Sequence, residues 1–389
     1  MKVQLFNKIS AAGLQELDEN HYEVGDQLTD YDAILVRSAS LHEMEFPASL
    51  KCIARAGAGV NNIPLQRCSE AGIVVFNTPG ANANAVKELT IAGLLLASRK
   101  IVKGIEWVKT LEGTDVAKAV EKGKSQFAGP EIMGKKLGVI GLGAIGVQVA
   151  NAAAALGMDV YGYDPYISVS AAWTLKARIH HIKQLKTIFE ECDYITLHLP
   201  LTDTTRGLLN EEAFAQMKEG VRIVNFARDA LVEETALLAA LAQGKVAAYV
   251  TDFASEALLT QENVIITPHL GASTPESEDN CARMAAQEIR EYLEHGNIRN
   301  SVNLPSLSLE ETARNRICII NRNIPNMVAK ISSQLGQYGI NIETMANKAR
   351  GDYAYTIVET NDDVDVSALE GIRGSEGIIH VRIIHSAVE

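Results

Sequence analysis

Short apolar blocks at residues 3–6, 33–36, 52–55 and 73–76 alternate with longer polar stretches. Blocks of four or five residues, spaced by segments long enough to be helices, predict strands of a parallel sheet with helical connections. The rhythm resumes at 137–140, 159–163, 194–197, 221–225, 246–250 and 264–267, with helical segments such as 211–217 and 233–243 between. Six such strands predict a second doubly wound sheet, with a ligand crevice at the strand carboxyl ends. The apolar-rich segment 81–108 contains Lys87, Glu88, Arg99, Lys100 and Lys103, so it predicts a buried helix and not a membrane span. A helix over 276–294 predicts a return of the chain to the first lobe, which makes that lobe discontinuous and sets a cleft between two lobes.

A polar, turn-rich break at 303–312 ends this regime. Beyond it the pattern predicts strand 317–321, helix 325–338, strands 341–346 and 353–359, helix 366–372 and strand 378–384. A βαββαβ order is satisfied by a four-stranded antiparallel sheet with two helices on one face. The expected domains are 1–92 with 278–303, then 93–277, then 316–389.

Composition narrows the partners. The 389 residues are 47% hydrophobic but only 5% aromatic, so the cores must be aliphatic. A net charge of −12 excludes nucleic acid and anionic membranes as partners and requires any anionic substrate to meet a local cluster of Arg or Lys. The five cysteines (52, 68, 192, 281 and 318) are scattered and form no CxxC pair. Neither a metal site nor a disulfide framework is therefore expected, and buried thiols in a reducing cytoplasm are. The first residues, MKVQLFNKIS, lack the long apolar run of a signal peptide.

The chemistry starts at residues 137–164. A strand runs into Gly141-x-Gly143-x-x-Gly146, an Ala/Val-rich helix follows, and a second strand ends on Asp164. This is a dinucleotide-binding βαβ unit: glycines for the turn, for backbone approach to a pyrophosphate and for close helix packing, with an acid for the adenine ribose. A 2′-phosphate would meet the charge of Asp164, and Pro165 and Tyr166 offer no compensating Arg, so NAD is expected over NADP. Helix N-terminal amides at Ala144 and Ile145 face the phosphates.

Three charged residues follow later strands: Arg228, Glu256 and His269. Oxidation of a 2-hydroxy acid needs this set. A planar Arg clamps the carboxylate, a His takes the hydroxyl proton as hydride leaves, and an acid fixes the His tautomer. Singly, each is better read as a structural or surface group; the set beside a nucleotide motif favours catalysis. His198 is read as structural, with the backbone of Leu199 and Pro200 near the cofactor.

NFARDALVEE, VTDFASE and NVIITPHLGAST after GLGAIG resemble the D-2-hydroxyacid dehydrogenase family over about residues 30–300. The resemblance implies two Rossmann-like lobes, Arg228 on the substrate carboxylate, His269 as acid/base and Glu256 as its partner. Cofactor contacts are implied at Gly141, Gly143, Ala144, Ile145, Gly146, Asp164, Leu199, Pro200, Phe226, Ala227, Asp252, Gly271 and Ala272. One departure stands out. The family spacing Asp-Val-Phe-x-x-Glu is one residue shorter here, Asp252-Phe253-Ala254-Ser255-Glu256, which puts the deletion between Asp252 and Phe253 and makes the contact of Asp252 a point to test.

In the first lobe Arg37, with Ser38 beside it, and Arg55 follow apolar strands, and Gly57 and Gly59 allow backbone amides to approach the same anion. This is similar to the phosphate-binding part of family members that act on a phosphorylated acid, and it implies 3-phospho-D-glycerate as substrate. The C-terminal segment NRNIPNMVAKISSQLGQYGINIETM resembles an ACT domain, a ligand-sensing module that usually pairs edge to edge. It implies an L-serine effector near Asn321, Asn323 and Asn341, with Asn321 and Asn326 departing from the usual His and Gly. A homodimer or homotetramer is expected. The alternatives are a family member acting on hydroxypyruvate, glyoxylate, 2-oxoglutarate or D-lactate, and a non-catalytic NADH sensor.

Overall fold

The computed structural model describes residues 1–113, 115–176 and 178–385, so the last four residues of the expected C-terminal domain lie outside it. The chain divides into two compact units, residues 1–82 with 275–389 and residues 83–274. No described helix is long and apolar enough to cross a membrane.

The first unit opens with a parallel sheet. Its strands are β1 (Lys2–Phe6), β2 (Glu23–Gly25), β3 (Ala33–Val36), β4 (Cys52–Arg55) and β5 (Val74–Phe76), in the order β2-β1-β3-β4-β5. All four residues of β3 are buried, as expected of a strand covered on both faces. The apolar blocks anticipate every strand except β2, whose sequence Glu-Val-Gly carries no apolar run.

The second unit holds β6 (Lys136–Ile140), β7 (Asp159–Tyr163), β8 (Ile179–His181), β9 (Tyr194–Leu197), β10 (Val221–Asn225), β11 (Val246–Thr251) and β12 (Val264–Ile266). They form one sheet in the order β12-β11-β10-β9-β6-β7-β8, seven strands where the sequence predicts six. The extra strand, β8, is an edge strand with two exposed histidines among its three residues; it pairs with β7 and adds a single apolar side chain, Ile179, to the core. The chain order reverses between β6 and β9, the place where such sheets open a ligand crevice. Helix α1 (Ala83–Ser98) buries Val86, Leu94 and Ala97 against Val139, Val224 and Val250. The expected helix over 81–108 therefore ends at Ser98, and the separate helix Ile101–Lys109 buries no residue. The unit boundary falls at 82/83, before the expected 92/93, because α1 packs on β10 and β11 along its whole length. Helix α2 (Ala144–Ala155) follows β6, and the short α3 (Glu256–Leu259) follows β11.

Residues 275–389 complete the first unit. Helix α4 (Pro275–His295) leads to β13 (Asn315–Arg322), α5 (Met327–Gln337), β14 (Thr344–Arg350), β15 (Tyr353–Thr360), α6 (Val366–Arg373) and β16 (Ile378–His385). The βαββαβ order is as the sequence predicts, and the antiparallel sheet runs β14-β15-β13-β16. One face packs Ile317, Ile319 and Val358 on Ile331, Leu335 and Ile372 of the two helices. The other face shares a core with the first sheet: Cys318, Ile320, Tyr355 and Ile357 join Val3, Leu35, Phe76, Ala285 and Ile289. The small sheet is thus covered on both sides.

Two arginines tie it to the end of α4, where helix carbonyls lack intrahelical donors. Arg316 donates to the His295 carbonyl at 2.6 Å, and Arg382 donates to the Leu293 carbonyl at 3.1 Å and to that of Tyr292. Both cations also complement the negative helix end, and Arg382 lies 4.1 Å above the Tyr292 ring. All five cysteines are buried and free.

Candidate active site

The glycine loop between β6 and α2 has the backbone its sequence requires. Gly141 has φ +94°, and a Cβ there would stand 2.5 Å from the His198 carbonyl oxygen. A Cβ on Gly146 would lie 1.8 Å from the Gly141 carbonyl oxygen, so only glycine lets α2 start this close to the loop. A Cβ on Gly143 would meet nothing within 4 Å, which leaves the amides of Ala144 and Ile145 approachable at the positive end of the helix. Asp164, at the end of β7, accepts from the Leu142 amide at 2.9 Å and from the Tyr166 amide at 2.8 Å. The ribose-type acid is therefore also a strut of the loop. These residues fit a dinucleotide: the loop is tight where the chain demands it and open where a pyrophosphate would lie.

His198 is a structural residue, as expected. Burial pushes its imidazole down to about 3, so it is neutral at ordinary pH, and its Nε2 pairs with Thr196 Oγ1 at 3.0 Å. Leu199 packs against the Gly141 backbone, and the Pro200 carbonyl accepts from Thr205 Oγ1 at 2.7 Å. The side chain of Phe226 is buried against Gly93, so only its backbone is left for a cofactor.

Arg228, Asp252 and His269 gather beyond the ends of the neighbouring strands β10, β11 and β12. Arg228 is exposed and, among the described residues, makes no ion pair. The turn that presents it is held by Asn225, a fully buried residue. Asn225 donates from Nδ2 to the Arg228 carbonyl at 2.8 Å and accepts from the Ala227 amide at 3.1 Å. Sequence reading passed over Asn225; its signal is the one amide at the end of an otherwise apolar strand, VRIVN.

His269 is exposed and has φ +37°, an unfavourable backbone for a residue with a Cβ. Its ring stands edge-on to that of Phe253, centroids 5.3 Å apart at 89°. Asp252 is only 5% exposed. Its carbonyl accepts from the His269 amide at 3.3 Å, and its Oδ2 accepts from the Gly271 amide at 3.2 Å. Its Oδ1 is buried without a partner. Burial holds this carboxyl above the ordinary range, while the Gly271 amide and the charges of His269 and Arg228 pull it back. Ala272 lies one residue further along the same turn, half-buried.

Glu256 does not join them. It is exposed on the first turn of α3, whose N-terminus is capped by Ser255 Oγ accepting from the Leu258 amide at 3.3 Å. Among the described residues no hydrogen bond or ion pair links Glu256 to His269. The helix begins at the glutamate itself, with Ser255 as its N-cap.

In the first unit Arg37, Ser38, Arg55, Gly57 and Gly59 do come together. Arg55 donates from Nε to the Arg37 carbonyl at 2.9 Å and from Nη1 to the Gly59 carbonyl. A Cβ on Gly57 would lie 3.2 Å from that Nη1. Asn7 accepts from the Ser38 and Ala39 amides at 2.8 and 2.7 Å and so shapes the strand exit. Arg37 is already paired: its Nη2 lies 2.6 Å from Glu278 Oε1 on the first turn of α4.

The three asparagines of the small sheet do not form one site within a chain. Asn323 bonds the β14–β15 turn through the Asp352 and Gly351 carbonyls, whereas the Asn341 amide donates to Asp362 beyond the other end of β15. The eight residues of β15 separate them by about 27 Å at roughly 3.4 Å per residue. Asn321 is fully buried, with Oδ1 unpartnered. Asn326 occupies the left-handed region at φ +69°, one that Asn tolerates nearly as glycine does.

Comparison with known proteins gives the same picture. Residues 91–271 match the D-isomer-specific 2-hydroxyacid dehydrogenase, NAD-binding domain. D-3-phosphoglycerate dehydrogenase of Methanocaldococcus jannaschii is 38% identical over 301 residues, 75% of this chain and 55% of that protein. The Synechocystis enzyme of the same name is 34% identical over 381 residues, 94% of this chain and 64% of that protein. The chain thus spans a little over half the length of these curated relatives. Among solved structures, NAD+-bound 3-phosphoglycerate dehydrogenase of Entamoeba histolytica superposes with a TM-score of 0.61 at 28% identity, covering 79% of this chain and 99% of that one.

Proposed function

We propose that the chain, whose residues 91–271 match the NAD-binding domain of the D-isomer-specific 2-hydroxyacid dehydrogenases, is one of these enzymes and oxidises 3-phospho-D-glycerate to 3-phosphohydroxypyruvate with NAD+, the opening step of serine synthesis. The observation that carries the reading is the gathering of Arg228 and His269 around Asp252, beside a glycine loop that fits a dinucleotide. The names of the relatives supply the substrate.

The glycine loop, the helix amides of Ala144 and Ile145 and the carboxylate of Asp164 would hold NAD+, which would supply the acceptor for the C2 hydride. Arg228, whose Nη1 donates to the Ala227 carbonyl at 2.5 Å and which makes no ion pair among the described residues, offers a planar guanidinium to the C1 carboxylate that also polarises the C2 oxygen. His269 takes the C2 hydroxyl proton as the C–H bond breaks and returns it in the reverse direction. Asn225 and Phe253 keep these two groups in place, Asn225 through the Arg228 turn and Phe253 through ring contact. Arg37 and Arg55 hold the phosphate.

One observation favours a second reading. Glu278 already occupies Arg37, which would suit an unphosphorylated acid such as hydroxypyruvate or glyoxylate. NADH oxidation measured side by side with 3-phosphohydroxypyruvate, hydroxypyruvate, glyoxylate, 2-oxoglutarate and pyruvate decides between them. The proposal expects the phosphorylated acid to have the highest kcat/KM, and equal or lower values overturn it.

A further inference from the structure

We propose that the cavity lined by Tyr249 and Phe253 binds a small protonated amine with an apolar body, and that its occupant acts on turnover as an effector. The effect on turnover rests on Arg228 and His269 being the catalytic pair; the binding does not.

The cavity holds about 320 Å3 and is lined from the end of β11, the turn after β10, the helix Glu234–Ala242 and α3. That volume suits a small molecule. Leu237, Tyr249 and Leu258 line it and are buried, and the half-buried Phe253 adds a second ring. Apolar surface of this kind favours a ligand with an apolar body.

Charge sets the sign of the ligand. Asp229 and Glu234 also line the cavity, and both are exposed. Asp229 Oδ1 accepts from the Ala230 amide at 2.8 Å, and Glu234 Oε2 accepts from the Ser255 hydroxyl. Among the described residues neither carboxylate forms an ion pair. Two carboxylates beside apolar walls repel the phosphates of NAD+ and the carboxylate of a 2-oxo acid, and they attract an ammonium group. The cavity is therefore chemically unlike the crevice served by the glycine loop and Arg228.

Two of its lining residues also hold the catalytic groups. Tyr249 Oη accepts from Asn225 Nδ2 at 3.2 Å, and the same Nδ2 donates to the Arg228 carbonyl at 2.8 Å. The Phe253 ring stands edge-on to the His269 ring, with centroids 5.3 Å apart. Asp229 directly follows Arg228. A ligand seated against Tyr249 and Phe253 thus touches supports of both groups, and its binding couples to their positions.

The experiment titrates the full chain calorimetrically with 2-phenylethylammonium, 2-phenylethanol and methylammonium, with and without NADH. The probe that carries both charge and ring should bind saturably and roughly tenfold tighter than either partial probe. E234Q should weaken it by about fivefold, and A254W should fill the cavity and abolish binding. At saturation the same probe should change the KM of the parent for its 2-oxo acid by about fivefold. Unaltered NADH affinity shows that each variant is folded.

Equal affinity for 2-phenylethanol overturns the site, as does an affinity for 2-phenylethylammonium that E234Q or folded A254W leaves untouched. Displacement of the probe by NADH also overturns it, by placing the ligand in the cofactor crevice. Saturable binding that leaves KM and kcat unchanged overturns the effector role. A chain that turns over no 2-oxo acid fails the catalytic reading instead, and the titration still decides the cavity.

Discussion

Arg37 and Glu278 meet across 2.6 Å, the first at the exit of β3 and the second on the opening turn of α4. Each is a little under half exposed, so the pair is weak in water. It nonetheless occupies a guanidinium that a phosphate would need. Glu278→Gln should free that group and lower KM for the phosphorylated acid by about two- to fivefold, leaving KM for glyoxylate alone. Steady-state kinetics on both substrates check it, and a phosphorylated-acid KM that does not fall would place the phosphate elsewhere.

Asp164 holds the Leu142 amide as well as facing the expected ribose position. Asp164→Asn removes a charge-assisted acceptor on both counts. NADH affinity should fall roughly tenfold or more while NADPH affinity rises, read by fluorescence titration. Unchanged NADH affinity would be incompatible with the cofactor lying on this loop.

Arg316 and Glu359 form an ion pair at 2.6 Å with each side chain 1% exposed. Removing one partner strands the other charge in the interior. Arg316→Met should therefore lower stability by about 3–5 kcal/mol, and Arg316→Met with Glu359→Met should recover much of it. Denaturant unfolding of the three proteins measures both effects; a double variant no better than the single would show that the bonds to α4, and not the pair, were lost.

Glu288 on α4 is buried, bonded to Asn300 at 2.7 Å through one oxygen and unpartnered at the other. Burial raises its pKa from 4.5 to about 8. The folded state therefore prefers the protonated acid. The associated stability is complete below about pH 4.5 and is lost as pH rises through about 8. Glu288→Gln should flatten that part of the stability–pH curve, so that the variant gains on the parent as pH increases. A gap that stays constant from pH 5 to 8 would contradict the assignment.

Much of the fold was legible because local rules and global packing agree. Strands buried on both faces, such as β3, must be continuous apolar runs, and the loop at Gly141 must be glycine because both φ and the His198 carbonyl forbid anything larger. Strands β2 and β8 were not legible, since an edge strand of three residues draws its stability from a neighbour's backbone and leaves no apolar signature. The break after Ser98 was missed because the apolar content continues beyond it on a helix that buries nothing.

The site divides in the same way. Sequence alone determined the residue types and their order: a glycine turn with an acid after it, then an arginine and a histidine each following a strand. Those follow from bond geometry, charge and the alternation of strand and helix, all properties of neighbours in the chain. Which acid stands by the histidine is a different kind of fact. Glu256 is exposed on the first turn of α3, whereas buried Asp252 accepts from the His269 amide through its carbonyl and from the Gly271 amide through Oδ2. Likewise, only folding brings Glu278 onto Arg37 across 241 positions, because contacts between distant segments depend on how whole elements pack, and no local pattern encodes them.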